Sequence, residues 1–241
     1  MTQIISDIYP IVHLAIDVQE RWYKKLLASR CEKFPSEIAQ FADHLRELSI
    51  PTKWVAFDNH MEMANYAKPR TTLPPDRWQH LVQHLEFGNI NIHAEDDVFV
   101  KIRMDAFYGG ALENNLRETK TGKLVITGMN TIECVPRTAL GAARANFPCV
   151  IITDLLAETN SAHLLEETNP DWHKVIIQHA IRKTTGDIVR EEKIDSQLVL
   201  DWLPKISFMT AAEYLASLAE PNPPERDIAP AGTDHRYRRD W

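Results

Sequence analysis

Lys123–Val135, KLVITGMNTIECV, is an apolar, β-branched run that meets a glycine and a short polar turn. A segment of helical composition, Pro136 to Asn146, follows it. Strand, tight turn and helix in that order make the repeating unit of an α/β protein, and they place Cys134 at or near a helix N-terminus. Unpaired N–H groups and the positive end of the helix dipole there favour a thiolate and can hold an oxyanion. From this stretch alone a buried structural cysteine fits Cys134 equally well, because free cysteine is among the most buried residue types.

The same pattern extends in both directions. Ile11–Asp17, IVHLAID, is a buried-strand run that stops at an acid, which puts Asp17 at the strand's carboxyl end. Further strand-like runs are Lys53–Phe57, Val98–Ile102, Leu124–Thr127, Val150–Thr153 and Ile206–Met209. Between the first two, Ile38, Phe41, Ala42, Leu45 and Leu48 recur at helical spacing behind Ser36, a plausible N-cap. Repeated βα units predict a three-layer α/β/α sandwich around a mainly parallel six-stranded sheet. Two stretches fall outside the scheme: Asn59–Arg77 reads as a long loop, and Lys183–Pro204 as an extra hairpin or lid. A domain over residues 1–219 is expected, followed by a proline-rich tail over 220–241 that opens with PNPPERDIAPAG.

Composition narrows the function classes. The 241 residues can bury a large core, and no apolar run approaches the roughly 20 residues of a membrane span. A net charge of -7 argues against general nucleic-acid binding, which needs clustered Lys and Arg. Residues Met1 to Tyr9 carry no Lys or Arg and no long apolar stretch, so a secretory signal is not expected. The three cysteines, Cys31, Cys134 and Cys149, are too few and too scattered for a disulfide framework or a zinc knuckle, which suits a reducing, cytoplasmic location.

Three residue types converge on the carboxyl ends of strands, where ligands bind in open α/β sheets: Asp17, Lys101 and Cys134. A carboxylate can accept the thiol proton. An ammonium favours the thiolate and offsets negative charge developing on a substrate. Together they suit a nucleophilic hydrolase.

Four blocks then resemble the isochorismatase-like cysteine hydrolases, the nicotinamidase/isochorismatase superfamily, in their order and spacing: AIDVQERW at 15–22, VKIRMDAFYGGAL at 100–112, TGMNTIECV at 127–135 and VIITDLLAE at 150–158. The resemblance spans roughly Ile11 to Leu218 and implies an isochorismatase-like, Rossmann-like fold. It also implies Asp17 as general base, Lys101 as the essential lysine and Cys134 as the nucleophile of a covalent acyl or imidoyl intermediate. The backbone of Asn130 and Cys134 would form the oxyanion hole, beside a cis Met129–Asn130 peptide. Where many relatives carry Thr, this chain has Gly110.

The nicotinamidase branch of the family binds a divalent metal through an Asp-x-His and a further histidine. Asp58 and His60 occupy that place here, and Asp and His are fitting zinc ligands. The branch's Trp-His-Pro and His-x-Ser-Phe motifs are absent, leaving His80, His84 or His93 as the further ligand. His80 and His84 also fit an ordinary solvated helical face. Gln19 can orient Asp17 or the substrate, or cap a helix, while Trp22, Phe107 and Tyr108 can wall a substrate pocket or pack as core. The expected function is hydrolysis of a C–N bond in a small amide, ureide or carbamoyl compound without a required cofactor. The rivals are a zinc-assisted nicotinamidase-like amidase, an isochorismatase and a catalytically idle binding relative. The expected partners are a small-molecule substrate and further copies of the chain in a dimer or tetramer.

Overall fold

Strand β1 (Ile11–Ile16) divides its side chains between two cores, as the two-residue period of a strand requires. Val12, Leu14 and Ile16 enter one cluster and Ala15 the other. Strand β5 (Lys123–Met129) repeats the division, with Leu124 and Ile126 on the first face and Val125 and Met129 on the second. A sheet apolar on both faces needs helices on both, and the computed structural model has that arrangement. It describes residues 10–26, 28–58, 67–69, 75–93, 96–159 and 172–219.

The first face is covered by α4 (Ala111–Glu118), α5 (Cys134–Arg144), α6 (Trp172–Glu192) and α7 (Ser196–Leu200). The second is covered by α1 (Glu20–Tyr23), α2 (Ala28–Glu47), the end of α3 (Pro75–His84) and α8 (Ala211–Ala219). The remaining strands are β2 (Thr52–Phe57), β3 (Ala67–Pro69), β4 (Asp97–Lys101), β6 (Cys149–Ala157) and β7 (Ile206–Met209). Their order is β3-β4-β2-β1-β5-β6-β7. The six expected strands are parallel, and a seventh, β3, pairs antiparallel with β4 at the edge. The chain builds outward from β1 through β2 to one side and from β5 to the other, so the switch in direction falls between β1 and β5.

Several expectations need correction. The first crossover helix begins at Ala28, not after Ser36, and carries Pro35 inside it. Phe34, fully buried, extends the apolar stripe of Ile38, Phe41 and Leu45 toward the N-terminus, and Ser36 donates its hydroxyl to the Glu32 carbonyl. Lys183–Pro204 is neither hairpin nor lid. It completes α6, adds α7 and opens a 3-10 turn at Leu203–Lys205, because Ile188 and Val199 have core to bury against. The expected loop at 59–77 includes β3 and the start of α3, and its other residues lie outside the described ones, as does the 220–241 tail. Among the described residues every peptide bond is trans, including Met129–Asn130; the chain turns there through left-handed Asn130 (φ 63°), a conformation asparagine tolerates. No described helix is long and apolar enough to cross a membrane.

His13 ties the middle of the sheet together. Its ring is wholly buried, with Nδ1 3.1 Å from Thr52 Oγ1 on β2 and Nε2 2.8 Å from Thr127 Oγ1 on β5. Burial, assisted by the Arg46 charge, holds its pKa at about 3 instead of 6.5. The folded protein therefore keeps His13 neutral while the unfolded chain protonates it, so stability present above pH 6.5 is lost progressively as pH falls toward about 3. Melting temperature should drop more steeply from about pH 7 to about pH 4 in the wild type than in His13→Gln. Parallel curves would remove His13 as the cause.

Candidate active site

Because β1, β2, β4, β5 and β6 are parallel, their carboxyl ends share one edge of the sheet. Asp17 follows β1, Asp58 follows β2, Lys101 ends β4, Asn130 to Cys134 follow β5 and Glu158 follows β6. Asp17 takes a left-handed φ of 54°, and its N–H donates to the Val55 carbonyl (2.7 Å). Gly128 lets β5 close on β1 here. At φ +127° it pairs with Ile16, and a Cβ on it would lie 2.1 Å from the Ile16 carbonyl oxygen. A bulge against β6 falls between Ile126 and Gly128, re-aiming the strand as it leaves the sheet.

Lys101 reaches from β4 across β2, its ammonium 5.2 Å from the centre of the Phe57 ring and 2.9 Å from Asp17 Oδ2. It also donates to the Met104 carbonyl (3.3 Å). Asp17 is 0% exposed, Lys101 3% and Cys134 5%, so all three expected residues meet in a dry site. Burial would lower the Lys101 pKa, but the Asp17 and Cys134 neighbours outweigh it and raise it, so the ammonium persists. Both Asp17 oxygens are sealed from solvent without a well-directed hydrogen bond, and the Lys101 charge is their compensation. Removing one member of such a buried pair costs about 3–5 kcal/mol because the other charge is stranded.

The expected low thiol pKa is not found. Burial first, then the Asp17 charge, push Cys134 up to about 12, against the opposing pull of Lys101. Cys134 therefore rests as a thiol beside the Asp17 charge, and the helix N-terminus does not overcome its desolvation.

The turn before Cys134 is held by groups that the sequence did not single out. Glu158, fully buried, accepts from Ile132 N (3.1 Å) and Thr159 N (2.9 Å), and Thr131 Oγ1 donates to Ala157 O (3.0 Å). Asn130 Nδ2 lies 3.8 Å from Cys134 Sγ, and Glu133 N and Val135 N both donate to the Asn130 carbonyl. Glu158 ends the run VIITDLLAE as Asp17 ends IVHLAID, so the acid-after-strand pattern was the signal available for it.

Helix α5 also grips the loop that follows Lys101. Thr138 Oγ1 accepts from Ala106 N (3.2 Å) and donates to Met104 O (3.4 Å). One turn further, Asp105 packs on Gly141 so closely that a Cβ there would sit 2.3 Å from its carboxylate. Asp105 is fixed by Phe107 N (2.8 Å) and Arg144 (3.1 Å). One helix thus carries Cys134 and positions the loop that follows Lys101. Gly110, in the left-handed region at φ 77°, precedes α4.

The remaining candidates separate. The Gln19 amide is spent on backbone, donating to Leu85 O (2.8 Å) and accepting from Phe57 N (2.8 Å), so it fastens β2 and the end of α3. Phe107 is a core residue against Phe147, and Tyr108 is 47% exposed with Arg103 over its ring. Trp22 lies edge-on to Phe57, beside the lysine. Asp58 is buried and 2.7 Å from His84 Nε2, while His60 lies outside the described residues. His80 is exposed, and His93 lies 3.4 Å from Asp43. No three His, Cys, Asp or Glu groups form a metal cluster among the described residues.

A family model described as the isochorismatase domain matches residues 12–179. A protein of Arabidopsis thaliana named "probable inactive nicotinamidase" is 36% identical over 84 residues, 32% of this chain; the chain spans 43% of that relative's length. An isochorismatase family protein from Desulfovibrio vulgaris subsp. vulgaris str. Hildenborough shares the fold with a TM-score of 0.56 at 15% identity, covering 88% of this chain and 100% of that one. The N-carbamoylsarcosine amidase of Thermoplasma acidophilum does so with a TM-score of 0.50 at 16% identity, covering 84% and 96%.

Because Asp17 raises the thiol pKa while Lys101 lowers it, Asp17→Asn should speed simple alkylation of Cys134 at about pH 8 by several-fold. Peptide-mapped iodoacetamide labelling checks this. Slower labelling would mean that Asp17 does not raise the pKa of the resting thiol.

Proposed function

This chain belongs to the isochorismatase family, and from that premise we propose that it is a cysteine hydrolase cleaving a C–N bond of a small amide, ureide or carbamoyl compound. The observation that carries the reading is the meeting of Asp17, Lys101 and Cys134 in one buried site at the switch in strand order. An α/β fold hosts many chemistries, so the site rather than the fold supports this one.

A thiol held near 12 attacks only if its proton leaves as the new bond forms. Cys134 Sγ bonds to the substrate carbonyl carbon while its proton passes to Asp17, and the carbonyl π pair moves onto oxygen. Backbone N–H groups of Asn130 and Cys134 receive that oxyanion, and Lys101 keeps the site's charge balanced. Collapse breaks the C–N bond. Protonated Asp17 gives its proton to the leaving nitrogen, and ammonia or an amine departs from a thioester. Water, deprotonated by Asp17, then releases the acid and restores the thiol.

Two other readings have an observation behind them. The buried Asp58 and its neighbour His84 lie at the same edge of the sheet and are residue types that hold a divalent metal such as zinc, the expectation for a nicotinamidase-like amidase. When bound, such a metal polarises a substrate group or water. The Arabidopsis relative's name favours an idle binding protein instead. A true isochorismatase is less favoured, since it has no use for Cys134. A small-molecule substrate, cytoplasmic location, homo-oligomer and lack of nucleic-acid or membrane partners complete the proposal.

Ammonia release from a panel of small amides, ureides and carbamoyl compounds tests it, with intact mass recorded during turnover. Hydrolysis with an acyl adduct on Cys134, lost at least about a thousand-fold in Cys134→Ala and Asp17→Asn, is the expected result. Turnover that survives Cys134→Ala would overturn it. Activity lost to a chelator and restored by zinc would favour the metal-assisted reading, and no turnover on any substrate the idle one.

A further inference from the structure

Asn130 enters the sequence argument only through its backbone, yet its side chain touches the nucleophile. Nδ2 is 3.8 Å from Cys134 Sγ, within the range of a hydrogen bond to sulfur. On its other side Oδ1 faces Thr159 Oγ1 at 3.5 Å. Thr159 in turn is held through its N–H by buried Glu158, which also holds Ile132 of the same turn. The orientation of the amide follows from chemistry. A hydroxyl can donate or accept, so Thr159 is satisfied by either end, whereas a sulfur losing its proton to Asp17 needs a donor. The amide therefore presents nitrogen to sulfur and oxygen to Thr159.

We propose that the Asn130 side chain is a further catalytic group, donating its amide N–H to the Cys134 sulfur and stabilising the thiolate as its proton leaves. Thr159 is the positioning residue that keeps the donor turned toward sulfur, and Glu158 anchors Thr159 to the end of β6. The inference rests on the hydrolase reading above for its catalytic meaning. The site gives the donor its weight: with water excluded, charge on sulfur is met by Lys101 and by local dipoles, and each pre-oriented dipole counts for more than it would in solvent. The left-handed backbone of Asn130 suits the same residue, since asparagine is among the few that adopt it readily.

That backbone also selects the variant. Asn130→Gly removes the amide but tolerates φ 63° and keeps the backbone N–H in place. Peptide-mapped iodoacetamide labelling at about pH 8.5 should show Cys134 alkylated about five-fold more slowly than in the wild type, with Cys31 unchanged as internal reference. Thr159→Val should lose about two-fold, and Asn130→Asp, which sets a negative charge against sulfur, more than Asn130→Gly. On a hydrolysed amide the loss should fall on kcat with KM little changed. Wild-type labelling rates in both Asn130→Gly and Thr159→Val would overturn the proposal. Should Asn130→Gly fail to fold, Thr159→Val decides alone. Labelling needs no substrate, so a wild type that hydrolyses nothing ends the hydrolase reading while the donor role of Asn130 is still decided.

Discussion

The buried ion pair between Asp17 and Lys101 is the constraint on which the site depends. Two charges taken out of water gain little net stability together, yet either one alone is strongly destabilising. Each therefore requires the other at the same depth, and they come from strands that are not neighbours. Lys101 crosses β2 over the Phe57 ring to reach Asp17, which fixes how the ends of β4, β2 and β1 must lie. Gly128 completes the arrangement from the other side by letting β5 approach Ile16 closer than any side chain would allow.

The same desolvation sets the protonation of Cys134. A helix N-terminus contributes partial charges at the end of α5, but they compete with a dry environment and with an adjacent carboxylate. The outcome is a thiol that stays protonated beside the Asp17 charge. In the proposed hydrolysis, reactivity is thus tied to proton transfer within the site. Groups that stabilise charge on sulfur during that transfer would matter more than in a site with a standing thiolate, which is the significance of the role proposed for Asn130.

Around these residues the packing is economical. Helix α5 holds Cys134 at its first residue, the loop after Lys101 at Thr138, and Asp105 against Gly141. Glu158 fastens the turn before Cys134 to the strand on its other side. The candidate groups at three strand ends are in this way braced by hydrogen bonds between neighbouring side chains and backbone.

The sequence by itself determined the α/β class, the starts of all six parallel strands to within one residue and the positions of Asp17, Lys101 and Cys134. Those features follow from local period and from acids, lysines or turns placed where apolar runs stop. Only the tertiary structure decided the protonation of Cys134, the binding of Gln19 to backbone, the placing of Phe107 in the core and the reach of Lys101 over β2. It also decided that the segment after Lys183 is helical, because Ile188 and Val199 find a core that no local pattern announces. Composition and spacing report what one segment prefers. Desolvation, charge pairing and close approach depend on what a distant segment brings to the same place, and such non-local energies have no signature in either segment read alone.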